Sequence, residues 1–240
     1  MPMRIREEIQ EMLREGAVVT TAIILAAGKS ERMGPGTDKA FLSLVNKPVV
    51  AWSLLAFEKT PEIDAIVLVV RKDQVVASKA VARMFGISKI TAIVPGGARR
   101  QDSVAAGLAA CEPDMRYVVV HDGARPLVKP ETISEVLAAA KKNGAATAGR
   151  RMTDTVKRVE RGSFAAATED RDKLWAVQTP QAFSAKSLRA AFAALGKNEV
   201  TDDCQAVELS GGKVKIVESR APNFKITTVE DLQTAAALLA

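Results

Sequence analysis

Short apolar runs and longer amphipathic stretches alternate along the chain. The runs at 21–25, 65–70, 90–94, 117–121 and 145–148 carry no formal charge. Such runs predict strands buried on both faces, as in parallel sheets. Ala65-Ile66-Val67-Leu68-Val69-Val70 is the clearest case. A late strand is predicted at 213–217. The stretches between predict helices at 48–58, 74–85, 100–111, 130–143, 185–195, 202–209 and 228–239. Pro48 suits a first helical turn and Gly144 a C-terminal cap. Thr227 or Thr228 suits an N-cap, with Glu230-Asp231 in the turn that follows. Ile5, Ile9 and Leu13, spaced by four, predict a short helix over 4–15.

This βαβ rhythm argues for an α/β fold: a mostly parallel sheet with helices on both faces. Ligands of such sheets bind at the carboxyl ends of the strands. The loops 26–39, 95–103 and 121–126 each follow a strand, so all three are expected on one edge. From about 150 to 172 the rhythm lapses. Thr155-Val156-Lys157-Arg158-Val159-Glu160-Arg161-Gly162 alternates weakly and then turns at Gly162-Ser163. That predicts a projecting β-arm with little core of its own, and an isolated hairpin is marginal in water. The arm is expected to pack on a second subunit, or else to fold back on its own domain. Residues 1–18 read as an N-terminal extension and 19–240 as one domain that carries the arm.

Composition narrows the partners. The 240 residues are 48% hydrophobic and 26% charged, as in ordinary water-soluble chains. No apolar run approaches the roughly 18 residues of a membrane span. The charged N-terminus lacks the apolar core of a signal peptide, so a cytoplasmic location is expected. A net charge of +6 favours anionic partners. Aromatic residues are only 4%, which leaves few platforms for stacking nucleic-acid bases. The cations are dispersed, so small phosphorylated substrates are expected and nucleic acid is not. Cys111 and Cys204 form no metal-binding spacing and are read as thiols. With His121 the one histidine, His-rich metal sites are excluded, and a hard cation such as magnesium fits better.

The loop after the first strand carries the most chemistry. Leu25-Ala26-Ala27-Gly28-Lys29-Ser30-Glu31-Arg32-Met33-Gly34-Pro35-Gly36-Thr37-Asp38-Lys39 combines small residues with three cations, which suits a polyphosphate. Ile23 stands where a P-loop needs its first glycine, and Ser30 where a dinucleotide fingerprint needs its second. Further candidates follow later strands. Pro95-Gly96-Gly97-Ala98-Arg99-Arg100-Gln101-Asp102-Ser103 offers backbone N–H groups and a hydroxyl. His121-Asp122-Gly123-Ala124-Arg125-Pro126 offers a carboxylate and a guanidinium. Asn223-Phe224-Lys225-Ile226-Thr227 places a lysine beside a helix start.

In this order, together with Asp154-Thr155-Val156-Lys157, Gln178-Thr179-Pro180-Gln181-x-Phe183 and Thr201-Asp202-Asp203, these segments resemble the 2-C-methyl-D-erythritol 4-phosphate cytidylyltransferases of the non-mevalonate isoprenoid pathway. Ribitol 5-phosphate cytidylyltransferases share many of the motifs, and a non-catalytic nucleotide-binding protein is the other alternative. The resemblance implies a Rossmann-like fold, CTP, a divalent cation such as Mg2+ and a homodimer joined through the arm. It implies transfer of CMP from CTP to the sugar-alcohol phosphate with release of pyrophosphate. By matched position, Ala26, Ala27 and Gly28 would meet the nucleotide through their backbone. Arg32 and Lys39 would grip the triphosphate, and Gly97 and Ser103 would meet cytosine and ribose. Asp122 and Gly123 would lie on the ribose and metal side. Arg125, Thr201 and Lys225 would face the acceptor. Thr155, Arg171 and Thr179 would complete the neighbouring subunit's site. Arg32, Lys39 and Lys225 would be the cations of catalysis. Gly123 stands where alanine is usual, Ala98 where some members are acidic, and Pro222 where an acid is common.

Overall fold

The computed structural model describes residues 7, 8, 11, 19–28, 33 and 38–240. Among these residues the main sheet has seven strands: β1 (Thr20–Ala26), β4 (Ala65–Val70), β5 (Ile90–Pro95), β6 (Tyr117–Asp122), β7 (Ala145–Arg151), β10 (Trp175–Ser184) and β11 (Lys215–Glu218). They lie in the order β11-β7-β10-β6-β1-β4-β5. Only β10 runs against its neighbours, antiparallel to both β6 and β7. The remaining pairings in this sheet are parallel. All six residues of β4 are buried, as an inner strand covered on both faces must be.

Helices cover the two faces. On one, α1 (Val49–Lys59) and α4 (Pro130–Asn143) pack Val50, Leu54, Phe57, Ile133, Val136 and Leu137 against Ile24, Ile66 and Leu68. Along the same side runs α2 (Val75–Met84), which places Ala82 in that cluster. On the other face, α3 (Arg100–Ala110), α5 (Ala185–Ala194) and α6 (Asp203–Leu209) bring Val104, Leu108, Leu188, Ala206 and Val207 onto Ile23, Val67, Val69 and Val118. A small hairpin of β2 (Ser43–Leu44) and β3 (Lys47–Pro48) joins the terminal helix α7 (Val229–Leu239) in a satellite core of Leu44, Val49, Ile226 and Ala235.

Register brings the strand ends together. Leu25 of β1 pairs with Asp122 of β6, Ala26 with Val70 of β4, and Val70 with Pro95 of β5. The loops after these four strands therefore start side by side.

The predicted rhythm of strands and helices from 21 to 148 is present. Two strand pieces, β2 and β3, were not expected, and β11 lies two residues later at its start than predicted. Strand β10 was missed altogether. Pro180 within it argues against a strand, and its register shifts between Val177 and Gln181. The helix predicted over 4–15 lies largely outside the described residues, and Glu7, Glu8 and Glu11 are helical.

The arm is a separate two-stranded sheet. Its strands β8 (Lys157–Val159) and β9 (Ala165–Thr168) pair antiparallel with each other. Gly162 takes φ 71° at the tip, where a residue without Cβ is at ease. Arg171 Nη1 donates to the Thr153 carbonyl at 2.7 Å and braces the base. Val159 and Phe164 are 58% and 78% exposed, so the hairpin leaves its largest apolar groups uncovered.

Candidate active site

The ends of β1, β4, β5 and β6 enclose a cavity of about 360 Å³. Its lining includes Ala26, Ala27, Gly28, Lys39, Gly97, Ser103, Asp122 and Lys225 from the sequence-predicted set. Asp38, Arg71, Lys72, Arg99 and Arg100 complete its charged wall. The predicted convergence of the three loops on one edge holds. Arg32 lies outside the described residues, as do Lys29 and Ser30.

The turn after β5 is shaped by close approach. A Cβ on Gly96 would lie 2.5 Å from the Ala27 Cβ, and one on Gly97 2.3 Å from the Asp102 Cβ. Side chains there would force the loops apart. The Ser103 hydroxyl accepts from the Gly97 N–H at 3.2 Å and donates to the Arg99 carbonyl at 3.3 Å, tying the turn to α3. Asp102 accepts from the Arg99 backbone N–H at 3.0 Å and from its guanidinium at 2.8 and 3.1 Å. Arg99 is thereby held along the rim.

Asp122, at the end of β6, is the electrostatic centre. Lys225 Nζ lies 3.0 Å from its Oδ2, Arg125 Nε 3.5 Å from Oδ2, and Arg100 Nε 3.5 Å from Oδ1. Burial alone would favour the neutral acid. The three cations outweigh it and hold the Asp122 carboxyl well below the usual carboxylate range. Asp38 differs, because burial raises its carboxyl while the Ala40 N–H and Arg71, 3.8 Å away, offset only part of that.

Lys225 owes its place to two anchors. Asn223 Nδ2 donates to the Thr179 carbonyl at 2.8 Å, and the Ile226 N–H donates to the Ala124 carbonyl at 2.8 Å. Beyond it, Asp231 accepts from the Thr227 N–H and hydroxyl at 2.8 and 2.7 Å and from the Thr228 N–H at 3.0 Å, fixing the start of α7.

Other predicted residues are placed differently. Arg125 does not line the cavity. Its Nη1 donates to the Asn223 carbonyl at 2.8 Å, and its side chain is mostly buried against Asp122. Thr179 is buried. Its hydroxyl accepts from the Asp122 N–H at 3.0 Å and meets His121 Nδ1 at 3.1 Å. The Arg125 carbonyl, 3.4 Å from Nε2, can only accept, so Nε2 carries the ring hydrogen and Nδ1 of the neutral ring accepts from the Thr179 hydroxyl. Burial pushes the His121 pKa down to about 3, so the ring is neutral. Gly123 backs onto β1, and Thr201 pairs with Gln205 Oε1 at 3.1 Å. Thr155 and Arg171 are exposed on the arm, away from this cavity.

Sequence reasoning passed over Arg100, Arg71 and Lys72 as site residues. Arg100 stands within the glycine motif that was singled out, and Arg71-Lys72 directly follow a strand. Position after a buried strand was the available signal.

The fold and the cavity define the class: an α/β protein with a cation-lined cleft for a phosphorylated ligand at the carboxyl ends of its parallel strands. The chain belongs to the 2-C-methyl-D-erythritol 4-phosphate cytidylyltransferase family, whose model it matches over residues 20–240. Enzymes of that name are nucleotidyltransferases. It is 46% identical over 219 residues to the enzyme so named from Dehalococcoides mccartyi, covering 91% of this chain and 95% of that one. It is 46% identical over 221 residues to the one from Pelotomaculum thermopropionicum, covering 91% and 93%. Among solved structures, 4-diphosphocytidyl-2C-methyl-D-erythritol synthase from Anaerococcus prevotii superposes with a TM-score of 0.82 at 32% identity, covering 92% of this chain and 96% of that one. No helix among the described residues is long and apolar enough to cross a membrane.

Proposed function

We propose that this chain transfers CMP from CTP to 2-C-methyl-D-erythritol 4-phosphate, giving 4-diphosphocytidyl-2-C-methyl-D-erythritol and pyrophosphate. The observation that carries the reading is the cation-lined cavity at the strand ends, in a chain of this family. An acceptor phosphate oxygen attacks the α-phosphorus of CTP, the bond to the β-phosphate oxygen breaks, and pyrophosphate leaves. The nucleophile is already an anion, so no general base is needed. His121, fully buried and outside the cavity lining, agrees with that. What the reaction needs is positioning and opposite charge.

In this reading the backbone of Ala26, Ala27 and Gly28 holds the nucleotide. Gly97 and Ser103 meet the base and ribose, and Asp122 and Gly123 the ribose side. Arg32 and Lys39 grip the triphosphate, and Lys225, which lines the cavity, faces the acceptor phosphate. Thr201 faces the acceptor. Arg125 and Thr179 serve the acceptor side through Asp122 and Asn223, which they hold. Residues 19–240 act as one domain, with 1–18 as an extension.

Among the described residues no group of three or more His, Cys, Asp or Glu side chains is arranged to hold a metal. Mg2+ keeps several waters and takes one or two carboxylates plus substrate phosphates. Asp122 lines the cavity and would be its carboxylate in place of the cations that pair with it in this structure, and Mg2+ held there would screen the repulsion between the two anionic reactants. The chain forms a homodimer through the arm, a reading supported by the exposed Phe164 and Val159 on a hairpin without a core. Thr155 and Arg171 then reach the partner's cavity. Both cysteines are unpaired, in keeping with a cytoplasmic location.

The test is initial-rate pyrophosphate release from CTP with each alcohol phosphate. Release is expected with 2-C-methyl-D-erythritol 4-phosphate. Equal or faster release with ribitol 5-phosphate would transfer the assignment to that acceptor.

A further inference from the structure

Among the described residues, Arg100 alone of the cations around Asp122 is held from behind by an acid outside the cavity. Arg100 opens α3 and lines the cavity. Its Nη2 donates to Asp203 Oδ2 at 2.9 Å, while its Nε lies 3.5 Å from Asp122 Oδ1. Asp203 opens α6, is fully buried and does not line the cavity.

Asp203 is fixed in place. Its backbone N–H donates to Gln181 Oε1 at 3.2 Å, and Gln181 Nε2 donates back to Asp202 Oδ2 at 2.8 Å. Those bonds fasten the first turn of α6 to β10. The Asp203 Oδ1 is buried and has no hydrogen-bond partner among the described residues. A buried carboxylate oxygen without a donor is costly, and it is a vacant place for a second guanidinium N–H.

We infer that Asp203 is a positioning residue that keeps Arg100 available to the cavity, and that Arg100 is a binding cation for the polyphosphate of an incoming nucleoside triphosphate. This rests on the reading that the cavity takes CTP. Without a ligand, Arg100 is shared between the two acids. When the triphosphate enters, Arg100 releases Asp122, turns its outer N–H groups to phosphate oxygens and offers a second N–H to Asp203 Oδ1. Its charge stays compensated throughout. With Asp203 neutralised, Asp122 is the acid still at pairing distance from Arg100, with Asp202 acting from further off, and Arg100 closes on Asp122, which withdraws the cation from the ligand.

The experiment measures binding of CTP and of inorganic triphosphate by titration calorimetry, with initial rates alongside, for Asp203→Asn, Arg100→Gln and the double variant. Each single change is expected to weaken inorganic triphosphate binding roughly tenfold to a hundredfold, the range for one charge-assisted hydrogen bond. The double variant is expected to be no weaker than Arg100→Gln, because the two residues act as one unit. Circular dichroism confirms the fold of each variant. Wild-type affinity for inorganic triphosphate in Arg100→Gln overturns the proposal, whether or not Asp203→Asn folds. So do additive losses, or a loss of thermal stability in Asp203→Asn with binding unchanged. If wild type binds inorganic triphosphate through Arg100 but releases no pyrophosphate from CTP, the assigned reaction fails and this inference stands.

Discussion

Replacing Asp122 with asparagine removes one charge and almost no volume from the centre of the site. Three cations lie within 3.0–3.5 Å of that carboxylate. At an effective dielectric near 20, each such pair attracts by about 5 kcal/mol before desolvation is subtracted. Desolvation cancels most of that sum. The net cost of removing one partner of a buried ion pair is about 3–5 kcal/mol, because the remaining charges are left uncompensated. For a chain of this size each kcal/mol is worth about 2–4 °C, so Asp122→Asn is expected to lower Tm by roughly 10 °C. The pH dependence has a definite sign. The folded-state pKa of Asp122 lies below its unfolded value of about 3.9, so its contribution is complete at neutral pH. It is lost as pH falls below about 4 toward the folded value. The stability gap between wild type and variant should therefore be full at pH 7 and narrow below about pH 4. Urea melts at several pH values measure it. The cavity becomes more cationic, so inorganic triphosphate binding should persist while turnover falls on the order of 100-fold or more. A gap below about 1 kcal/mol at pH 7, or turnover close to wild type, would refute this account of Asp122.

Lys39→Ala and Arg32→Ala are each expected to lose about 100-fold or more in turnover with an unchanged circular dichroism spectrum; loss of the fold would count against a role in charge stabilisation. Thr179→Val strands the buried Asp122 N–H and should cost about 1–3 kcal/mol in a urea melt, whereas an unchanged midpoint would show that the hydroxyl does not hold β6. Mixed dimers of Arg171→Ala and Lys39→Ala should recover activity that neither variant has alone, and absence of complementation would exclude a site shared across subunits.

The parallel core was readable because its strands are unbroken apolar runs, and periodicity reports burial directly. Strand β10 was not readable. Pro180 interrupts it, and its antiparallel place between β6 and β7 is a tertiary fact with no local signal. Lys39, Gly97, Ser103, Asp122 and Lys225 were identified by motif and meet at one cavity. Arg125 and Thr179 show the limit of motif reasoning. Both lie at the site, yet their polar atoms turn inward to Asn223, Asp122 and His121. Sequence spacing does not say which way a side chain turns. Arg100 was passed over for a related reason, since its partner Asp203 is 103 positions away in the chain.

The most direct test of the proposed reaction is a coupled measurement on the wild-type protein. CTP, Mg2+ and 2-C-methyl-D-erythritol 4-phosphate are incubated with it, and phosphorus NMR follows pyrophosphate and the new diphosphate ester together. Both are expected in equal amounts, and neither when the acceptor is omitted. Pyrophosphate formed without acceptor, or no diphosphate ester in the complete mixture, would contradict the proposed reaction.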